Sequence, residues 1–268
     1  MARIFDSHAH YYDARFYAGG QTPDALLSAL FGGAIGTIVN VGTSLENAAV
    51  VLAQAAKYPR MFAAIGIHPT DGQAYSDPMK AVEKLKILLG SKESRAAQKI
   101  VAIGEIGLDY HYPDTDKDKQ KALFEGQLCL AEELDLPVII HDRDAHGDSF
   151  EAVLRHPRVR GVFHCFSGSV QMARELSRRG WYLSFSGVVT YRNAPRVREA
   201  AAAVPDELLL TETDCPYLAP EPHRGERNSS AYLPDTVAAL AVVKGMSVQE
   251  MTDLTAKNAC RLFGIPEE

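Results

Sequence analysis

The chain has 268 residues, of which 46% are hydrophobic and 23% are charged, and this ordinary balance excludes disordered and fibrous proteins. No apolar run reaches the roughly 18 residues that a membrane-spanning helix needs, so the sequence predicts no membrane span. The net charge of -6 argues against a broad basic surface that coats duplex nucleic acid, but not against a small phosphate site whose positive charge comes from metal.

Eight apolar, β-branched runs predict eight strands, with helical patterns between most of them. The runs are continuous rather than alternating, as expected of parallel strands that are covered on both faces. They lie near residues 3–8, 37–42, 61–67, 100–106, 137–141, 161–166, 182–189 and 208–213.

Helices are predicted from caps and from apolar periodicity. Thr43 and Glu46 have the spacing of a capping box, which predicts a helix that begins there. Asp77 followed by Pro78 predicts the start of the next helix, and Gly90 its end. Further helices are expected over residues 117–135, 169–179, 195–203, 234–244 and 247–257.

Eight strand–helix units in a chain of this length predict an α/β fold of the (β/α)8 TIM-barrel type, as one domain over residues 1–268. A doubly wound parallel sheet is the alternative that periodicity leaves open. In either architecture, reactive groups belong at the C-terminal ends of the strands.

Histidines and acids occur at the ends of six predicted strands. On a strand, His8 and His10 point to one face, where two neutral imidazoles can chelate a divalent metal. A polar residue must appear wherever a strand leaves the core, but six such ends are hard to explain in that way. The ends carry His8 and His10; His68; Glu105 and Asp109; His141 and Asp142; His164; and Glu212 and Asp214.

This ligand chemistry predicts a divalent metal centre. Imidazole and carboxylate without paired cysteines suit Zn, Mn, Fe or Co, and suit Mg less well. Closing the barrel would bring the six strand ends around one mouth, so the side chains would converge there.

In these motifs the chain resembles the TatD family of metal-dependent deoxyribonucleases, which are amidohydrolase-like barrels. The matching stretches follow the family order over nearly the whole chain. One departure is Ala9, where many relatives have cysteine, and its side chain should point away from the metal. The stretches are 6–10 (DSHAH), 40–43 (NVGT), 66–69 (GIHP), 104–110 (GEIGLDY), 164–168 (HCFSG), 211–220 (TETDCPYLAP), 223–228 (HRGERN) and 258–263 (NACRLF).

The resemblance implies two divalent metal ions, with Mg, Mn and Zn as candidates. A bridging carboxylate holds two cations about 3.5–4 Å apart, and each cation lowers the pKa of a bound water. Asp214 would also accept the proton of the attacking water as general base. One ion would be held by His8, His10, Glu105 and Asp214, and the other by Glu105, His141 and His164, with Glu105 as the bridge.

His68 matches a family position beside the metals, where a contact to the scissile phosphate or the leaving group is favoured over a purely structural hydrogen bond. Arg224 and Arg227 follow the last strand, and Arg143 follows His141. Arginine forks match phosphate oxygens, so these three are the candidate phosphate-binding residues. Ordinary surface charge is the alternative for each of them.

Supporting roles are predicted for residues near the ligands. Asp6, Asp109 and Asp142 are predicted to orient ligand histidines. Cys165 and Cys215 each follow a ligand directly and would face the opposite side of their strand, so they are expected to pack in the core.

No two of the four cysteines form a C-x-x-C pair. The predicted strand that carries His8 begins within the first few residues, so no signal peptide is predicted before it. Reduced thiols and a cytoplasmic location are therefore predicted.

Together these features predict a hydrolase that cleaves phosphodiester bonds of DNA, with RNA also open, as a 3′-to-5′ exonuclease on single-stranded ends. The acidic chain favours an end threaded into a mouth over a duplex gripped along its length. No obligatory protein partner is inferred. The alternative is a hydrolase of small amides, lactones or phosphate esters, although Glu105 lies where many such barrels have a carbamylated lysine. An inactive binding protein would need a broken ligand set, and none is broken here.

Overall fold

The computed structural model describes residues 3–20 and 22–267 and contains all eight expected strands in one sheet. The strand order is β1 to β8, which confirms the (β/α)8 class and excludes a doubly wound sheet, because the order never reverses. The strands are β1 Ile4–Ala9, β2 Ile35–Val41, β3 Met61–Ala64, β4 Ile100–Asp109, β5 Val138–Arg143, β6 Gly161–Phe163, β7 Tyr182–Phe185 and β8 Leu209–Thr211.

The α-helices of the described residues include the seven expected ones and three that the patterns did not predict, namely α1, α4 and α6. Helices α1 and α6 have no side-chain N-cap, and α4 has only six residues, so each of the three lacks one of the local signals that mark a helix. The helices are α1 Asp24–Gly32, α2 Ala48–Lys57, α3 Pro78–Leu89, α4 Lys92–Ala97, α5 Lys117–Leu134, α6 His146–Arg155, α7 Val170–Arg178, α8 Pro195–Ala203, α9 Leu233–Lys244 and α10 Val248–Phe263.

The capping box expected at Thr43 and Glu46 is wrong. Helix α2 begins later, after Asn47, whose Oδ1 accepts from the Thr43 N–H at 3.1 Å. The Thr43 hydroxyl donates to Asp71, and the Glu46 carboxylate accepts from the Tyr75 hydroxyl. The side chains of Thr43 and Glu46 therefore bond to Asp71 and Tyr75 and do not cap the helix.

The cap expected for α3 is confirmed. Asp77 accepts from two backbone N–H groups of the first turn, and Gly90 follows the last residue with a φ of 61°. A complete capping box occurs elsewhere, between Ser247 and Glu250 at the start of α10.

The described residues of Met1–Asn40 and His164–Glu268 form one compact unit, here called the terminal unit. In it β1 pairs in parallel with β2, and β7 with β8. The segment after β8 also joins β1, because the Asp214 N–H donates to the His8 carbonyl at 2.9 Å and the His10 N–H to the Cys215 carbonyl at 2.8 Å. This pairing fixes the backbones of His8, His10 and Asp214 side by side.

Asp6 is a fully buried carboxylate in the same unit. It accepts from the Thr213 N–H at 3.0 Å, the Thr213 hydroxyl at 2.7 Å and the Ser230 hydroxyl at 2.6 Å. Burial raises the pKa of Asp6 to about 6, although these hydrogen bonds act to lower it. The expectation that Asp6 orients a ligand imidazole is wrong, because its partners are hydroxyl and backbone groups that hold the turn before Asp214.

Residues Val41–Phe163 form the second compact unit, the middle unit, in which β3 to β6 pair in parallel. Two glycines allow β4 to lie close to β5. A Cβ on Gly107, whose φ is 140°, would lie 2.0 Å from the His141 carbonyl oxygen, and a Cβ on Gly104 would lie 2.7 Å from the Ile139 Cβ. The G-E-I-G motif thereby places Glu105 beside His141.

Helix α5 carries two buried glutamines that hold the ends of β3 and β4. The Gln127 amide accepts from the Ile67 N–H at 2.8 Å and donates to the Ile67 carbonyl at 3.0 Å. Gln120 makes the same pair of bonds to Asp109, at 2.9 and 3.0 Å. These amides fix the backbone at Asp109 and directly before His68.

No disulfide bond joins any two of the four cysteines, all of which are described residues. Within residues 3–20 and 22–267, no helix combines the length and the apolar character needed to cross a bilayer.

Replacement of Gln127 by leucine should lower the free energy of unfolding by roughly 2–6 kcal/mol, because two buried backbone groups lose their partners at about 1–3 kcal/mol each. Urea denaturation measures this change. Gln249→Leu is the control, since Gln249 is exposed and bonds only Asp253 of its own helix. Equal stability of the two variants would contradict the role given to Gln127.

Candidate metal centre

Three histidines and an aspartate of the terminal unit lie together, and we call them the His8 cluster. The Nε2 atoms of His8 and His10 are 3.0 Å apart. Asp214 Oδ1 lies 3.3 Å from His10 Nε2 and 3.8 Å from His8 Nε2. The ring of His164 stacks on that of His8 with a centroid distance of 4.0 Å. All three histidines are buried.

The local chain geometry explains this convergence. Alternation along β1 directs His8 and His10 to one face, as the H-x-H spacing predicts. Asp214 adopts a φ of 55°, which aspartate tolerates better than most residues, at the turn that follows β8. Burial acts to raise the pKa of Asp214, but the hydrogen bond with His10 and the neighbouring His164 and His8 lower it below its ordinary value.

The distances in the His8 cluster fit a divalent cation. Metal–nitrogen bonds of about 2.0–2.1 Å separate neighbouring ligand atoms by about 3 Å, and the two Nε2 atoms are 3.0 Å apart. Lone pairs on these two nitrogens and on Asp214 Oδ1 repel one another unless a proton or a cation lies between them. The donor set of imidazole and carboxylate is the one that Zn, Mn, Fe or Co prefers.

Glu212 lies behind His164 and is fully buried. Its Oε1 is 3.3 Å from His164 Nδ1 and accepts from the Cys165 N–H at 2.6 Å. Its Oε2 has no hydrogen-bond partner among the described residues. A carboxylate that accepts from one imidazole nitrogen fixes the tautomer and leaves the lone pair of the other nitrogen for a metal. Glu212 lies at the end of a predicted strand, but its position alone predicted no role for it.

Two histidines and two carboxylates of the middle unit form a second group, the Glu105 cluster. His141 Nδ1 lies 2.8 Å from Glu105 Oε1, and His141 Nε2 lies 3.2 Å from Asp109 Oδ2. His68 Nε2 is 3.5 Å from the same Glu105 oxygen, and the rings of His68 and His141 meet edge to face at 4.3 Å.

The contacts of His141 also fit a cation. Burial acts to raise the pKa of Asp109, but the hydrogen bond with His141 lowers it below its ordinary value, so the carboxylate is ionised and accepts the Nε2–H. In the neutral ring, Nδ1 then directs a lone pair at Glu105 Oε1. Two acceptors 2.8 Å apart need a proton or a cation between them. Asp109 therefore orients His141, as predicted.

His68 differs from the ligand histidines in its hydrogen bonds. Its Nδ1 accepts from the Thr70 N–H at 3.2 Å and lies 2.7 Å from the Thr70 hydroxyl. The neutral ring then carries its proton on Nε2, which points toward Glu105. His68 thus offers a donor beside Glu105, and its contact with a phosphate or a leaving group stays a prediction.

Asp142 does not orient a ligand histidine, contrary to the prediction. It accepts from His146 at 2.7 Å and from Ser149 at 3.1 Å, both on helix α6. Asp142 lies near the end of β5 and His146 begins α6, so the short connection between the two elements brings the carboxylate and the imidazole together.

The candidate phosphate-binding arginines are all exposed and lie near aromatic rings. The Arg143 guanidinium is 5.8 Å from the Tyr112 ring centroid, and that of Arg224 is 4.4 Å from the Tyr191 ring centroid. Arg227 donates to a backbone carbonyl, that of Arg15, at 2.8 Å. A phosphate role for all three stays a prediction.

Cys215 is fully buried and Cys165 is partly buried, and desolvation raises the pKa of both thiols, that of Cys165 to about 12. The Cys165 thiol lies 3.2 Å from the Ser186 hydroxyl, and Cys215 lies in the core, so packing is the role that fits both residues.

Replacement of Glu212 by glutamine should weaken metal binding about 10- to 100-fold, the usual effect of losing a carboxylate behind a ligand histidine. The amide oxygen can still accept from Cys165 and His164, so the fold should persist. Competition with a chromophoric chelator measures the affinity. Glu207→Gln is the control, because Glu207 is exposed and lies just before β8. Unchanged affinity in E212Q would contradict the role.

Comparison with known proteins gives the family. A family model described as "TatD related DNase" matches residues 5–264. The uncharacterized metal-dependent hydrolase YabD of Bacillus subtilis is 38% identical over 264 residues, which cover 98% of this chain and 99% of YabD. The crystal structure of the Escherichia coli TatD homologue YjjV superposes with a TM-score of 0.87 at 33% identity, covering 99% of both chains. The chain therefore belongs to the TatD family and is a metal-dependent hydrolase.

Proposed function

We propose that this protein hydrolyses phosphodiester bonds of DNA with two divalent metal ions, as a 3′-to-5′ exonuclease that prefers single-stranded ends. The observation that carries the proposal is the pair of cation-fitting positions, one between His8 and His10 and one between His141 and Glu105. Two-metal sites are typical of enzymes that cleave phosphodiesters. The description of the matching family model as a DNase supports the same substrate class.

The proposed ligands lie in the C-terminal half of strands or in the residues just after them, which is the side of the sheet where (β/α)8 enzymes carry their active sites. Glu105 is the proposed bridge. Mg, Mn and Zn are the candidate ions. One ion would be held by His8, His10, Glu105 and Asp214, and the other by Glu105, His141 and His164.

Divalent ions bound there would polarise the phosphoryl oxygens and supply a water of lowered pKa. Asp214 takes the proton of that water as it adds to phosphorus, which is the general-base role. His68 offers its Nε2–H to the scissile phosphate or to the leaving oxygen. Arg143, Arg224 and Arg227 bind phosphates near the scissile one.

The substrate is proposed to be a strand end. A net charge of -6 disfavours a duplex gripped along its length, where affinity depends on many phosphate contacts. A single-stranded end needs only a few contacts near the metals. Hydrolysis of lactones, amides or small phosphate esters is the competing outcome, since a barrel fold does not determine the substrate.

Asp214→Asn separates chemistry from metal binding. The amide oxygen can still bind a metal but is a poor proton acceptor, so turnover should fall by about 100-fold or more. Metal content should fall less than in Glu105→Ala, which removes the bridge and should abolish activity. Turnover assays and elemental analysis of both variants measure this difference. Complete loss of metal in D214N would make Asp214 a ligand first, with His68 the next candidate base.

A substrate panel tests the proposed function. Metal-stripped protein is reloaded with Mg, Mn or Zn and given 5′-labelled single strands, blunt duplexes, lactones and amides. Single strands should be shortened fastest, as a descending ladder, and a chelator should stop the reaction.

Two results would contradict the nuclease proposal. One is turnover of a lactone or amide without release of mononucleotides under any metal. The other is cleavage of a circular single strand as fast as a linear one, since no end would then be recognised.

A further inference from the structure

An exposed pair of side chains, Arg15 and Tyr217, forms a flat surface on the terminal unit, here called the Arg15 platform. The Arg15 guanidinium carbon lies 3.9 Å from the centroid of the Tyr217 ring. Asp13 holds the guanidinium in place, accepting from its Nε–H and Nη2–H at 2.9 Å each. The Tyr217 hydroxyl donates to the same carboxylate at 3.2 Å.

The platform is anchored to the backbone of two residues of the His8 cluster. The Asp13 N–H donates to the His10 carbonyl at 3.0 Å, and the Tyr217 N–H to the Asp214 carbonyl at 2.9 Å. The Tyr217 ring also meets the ring of His10 edge on, with the centroids 6.2 Å apart. A group bound on the platform would therefore lie next to the proposed metal ligands.

The exposure and the hydrogen bonds of the Arg15 platform indicate which ligands it can bind. Tyr217 is 44% exposed, and the side chain of Arg15 is 46% exposed, so the stack is not part of the core. Asp13 occupies one edge of the guanidinium and offsets its charge, which weakens the residue as a simple phosphate-binding cation. A flat guanidinium on an aromatic ring remains available, and such surfaces stack with planar bases.

A hydrogen bond from Arg227 to the Arg15 carbonyl, at 2.8 Å, supports the platform from the loop after β8. The Arg227 guanidinium lies 5.0 Å from the centroid of Phe16, the buried neighbour of Arg15. The loop thus holds the backbone under the platform in one position.

We propose that the Arg15 platform stacks with a nucleobase of the substrate, that of the nucleotide beside the scissile phosphate. The inference rests on the proposed nuclease function and adds to it a base subsite without sequence preference, because every base presents a π-face. It assigns to Tyr217 and Arg15 a part in substrate binding and none in the bond-breaking step.

The test compares two oligodeoxynucleotides that differ only in the 3′-terminal nucleotides, which are normal in one and abasic in the other. Tyr217→Leu removes the ring, Tyr217→Phe keeps it, and Ile87→Ala is the control at an exposed hydrophobic residue of α3, 79% exposed. Fluorescence anisotropy in the presence of a chelator measures binding without hydrolysis. Steady-state kinetics with metal then give KM and kcat.

On the normal oligonucleotide, Y217L should raise Kd and KM about 10-fold with little change in kcat, on the scale of one lost base stack. The same variant should not change binding of the abasic oligonucleotide, and Y217F and I87A should behave as the wild type. Equal weakening on both oligonucleotides, or none, would overturn the proposal.

If the proposed nuclease function is wrong but the platform proposal is right, binding and cleavage give a different result. Base-dependent binding that Y217L abolishes, without cleavage under any metal, would retain the platform and reject the nuclease. If the wild type binds the normal and the abasic strand equally well, or neither strand, the platform proposal is overturned whatever the wild type hydrolyses.

Discussion

The proposed metal centre depends on one electrostatic constraint, namely that nitrogen and oxygen atoms that can act as acceptors face each other at close range. His8 and His10 present two ring nitrogens 3.0 Å apart, and His141 presents one to Glu105 at 2.8 Å. Lone pairs at these distances repel unless a cation or a proton is shared. Because the histidines of the His8 cluster are buried, this repulsion is poorly screened. The fold therefore holds positions that a divalent cation stabilises.

The scaffold keeps these atoms in place by backbone contacts more than by side-chain packing. In the terminal unit, the pairing of β1 with the segment after β8 fixes His8 and Asp214 relative to each other. In the middle unit, Gly107 allows β4 and β5 to lie close together, and Gln127 holds the strand end before His68. Metal-ligand atoms that repel one another need such backbone support, since they would otherwise move apart.

Patterns that depend on near neighbours were predictable from the sequence. Eight apolar runs predicted the eight strands, and the H-x-H spacing predicted that His8 and His10 share a face. The cap at Thr43 was wrong because its side-chain partner, Asp71, is remote in sequence. Asp109 was predicted to orient a ligand histidine because it follows a predicted strand near other candidate ligands, and it contacts His141 of the neighbouring strand. The stacking of Arg15 on Tyr217 joins residues about 200 positions apart, so no local pattern could show it.

The most direct test of the central claim is the number of divalent ions that each chain binds. Protein stripped with a chelator, reloaded with Mn or Zn and freed of excess metal by gel filtration can be measured by elemental analysis. The account predicts about two ions per chain, and a marked fall in Glu105→Ala, because the proposed bridge contacts both. Retention of both ions in that variant, or a wild-type chain that binds none, would contradict it.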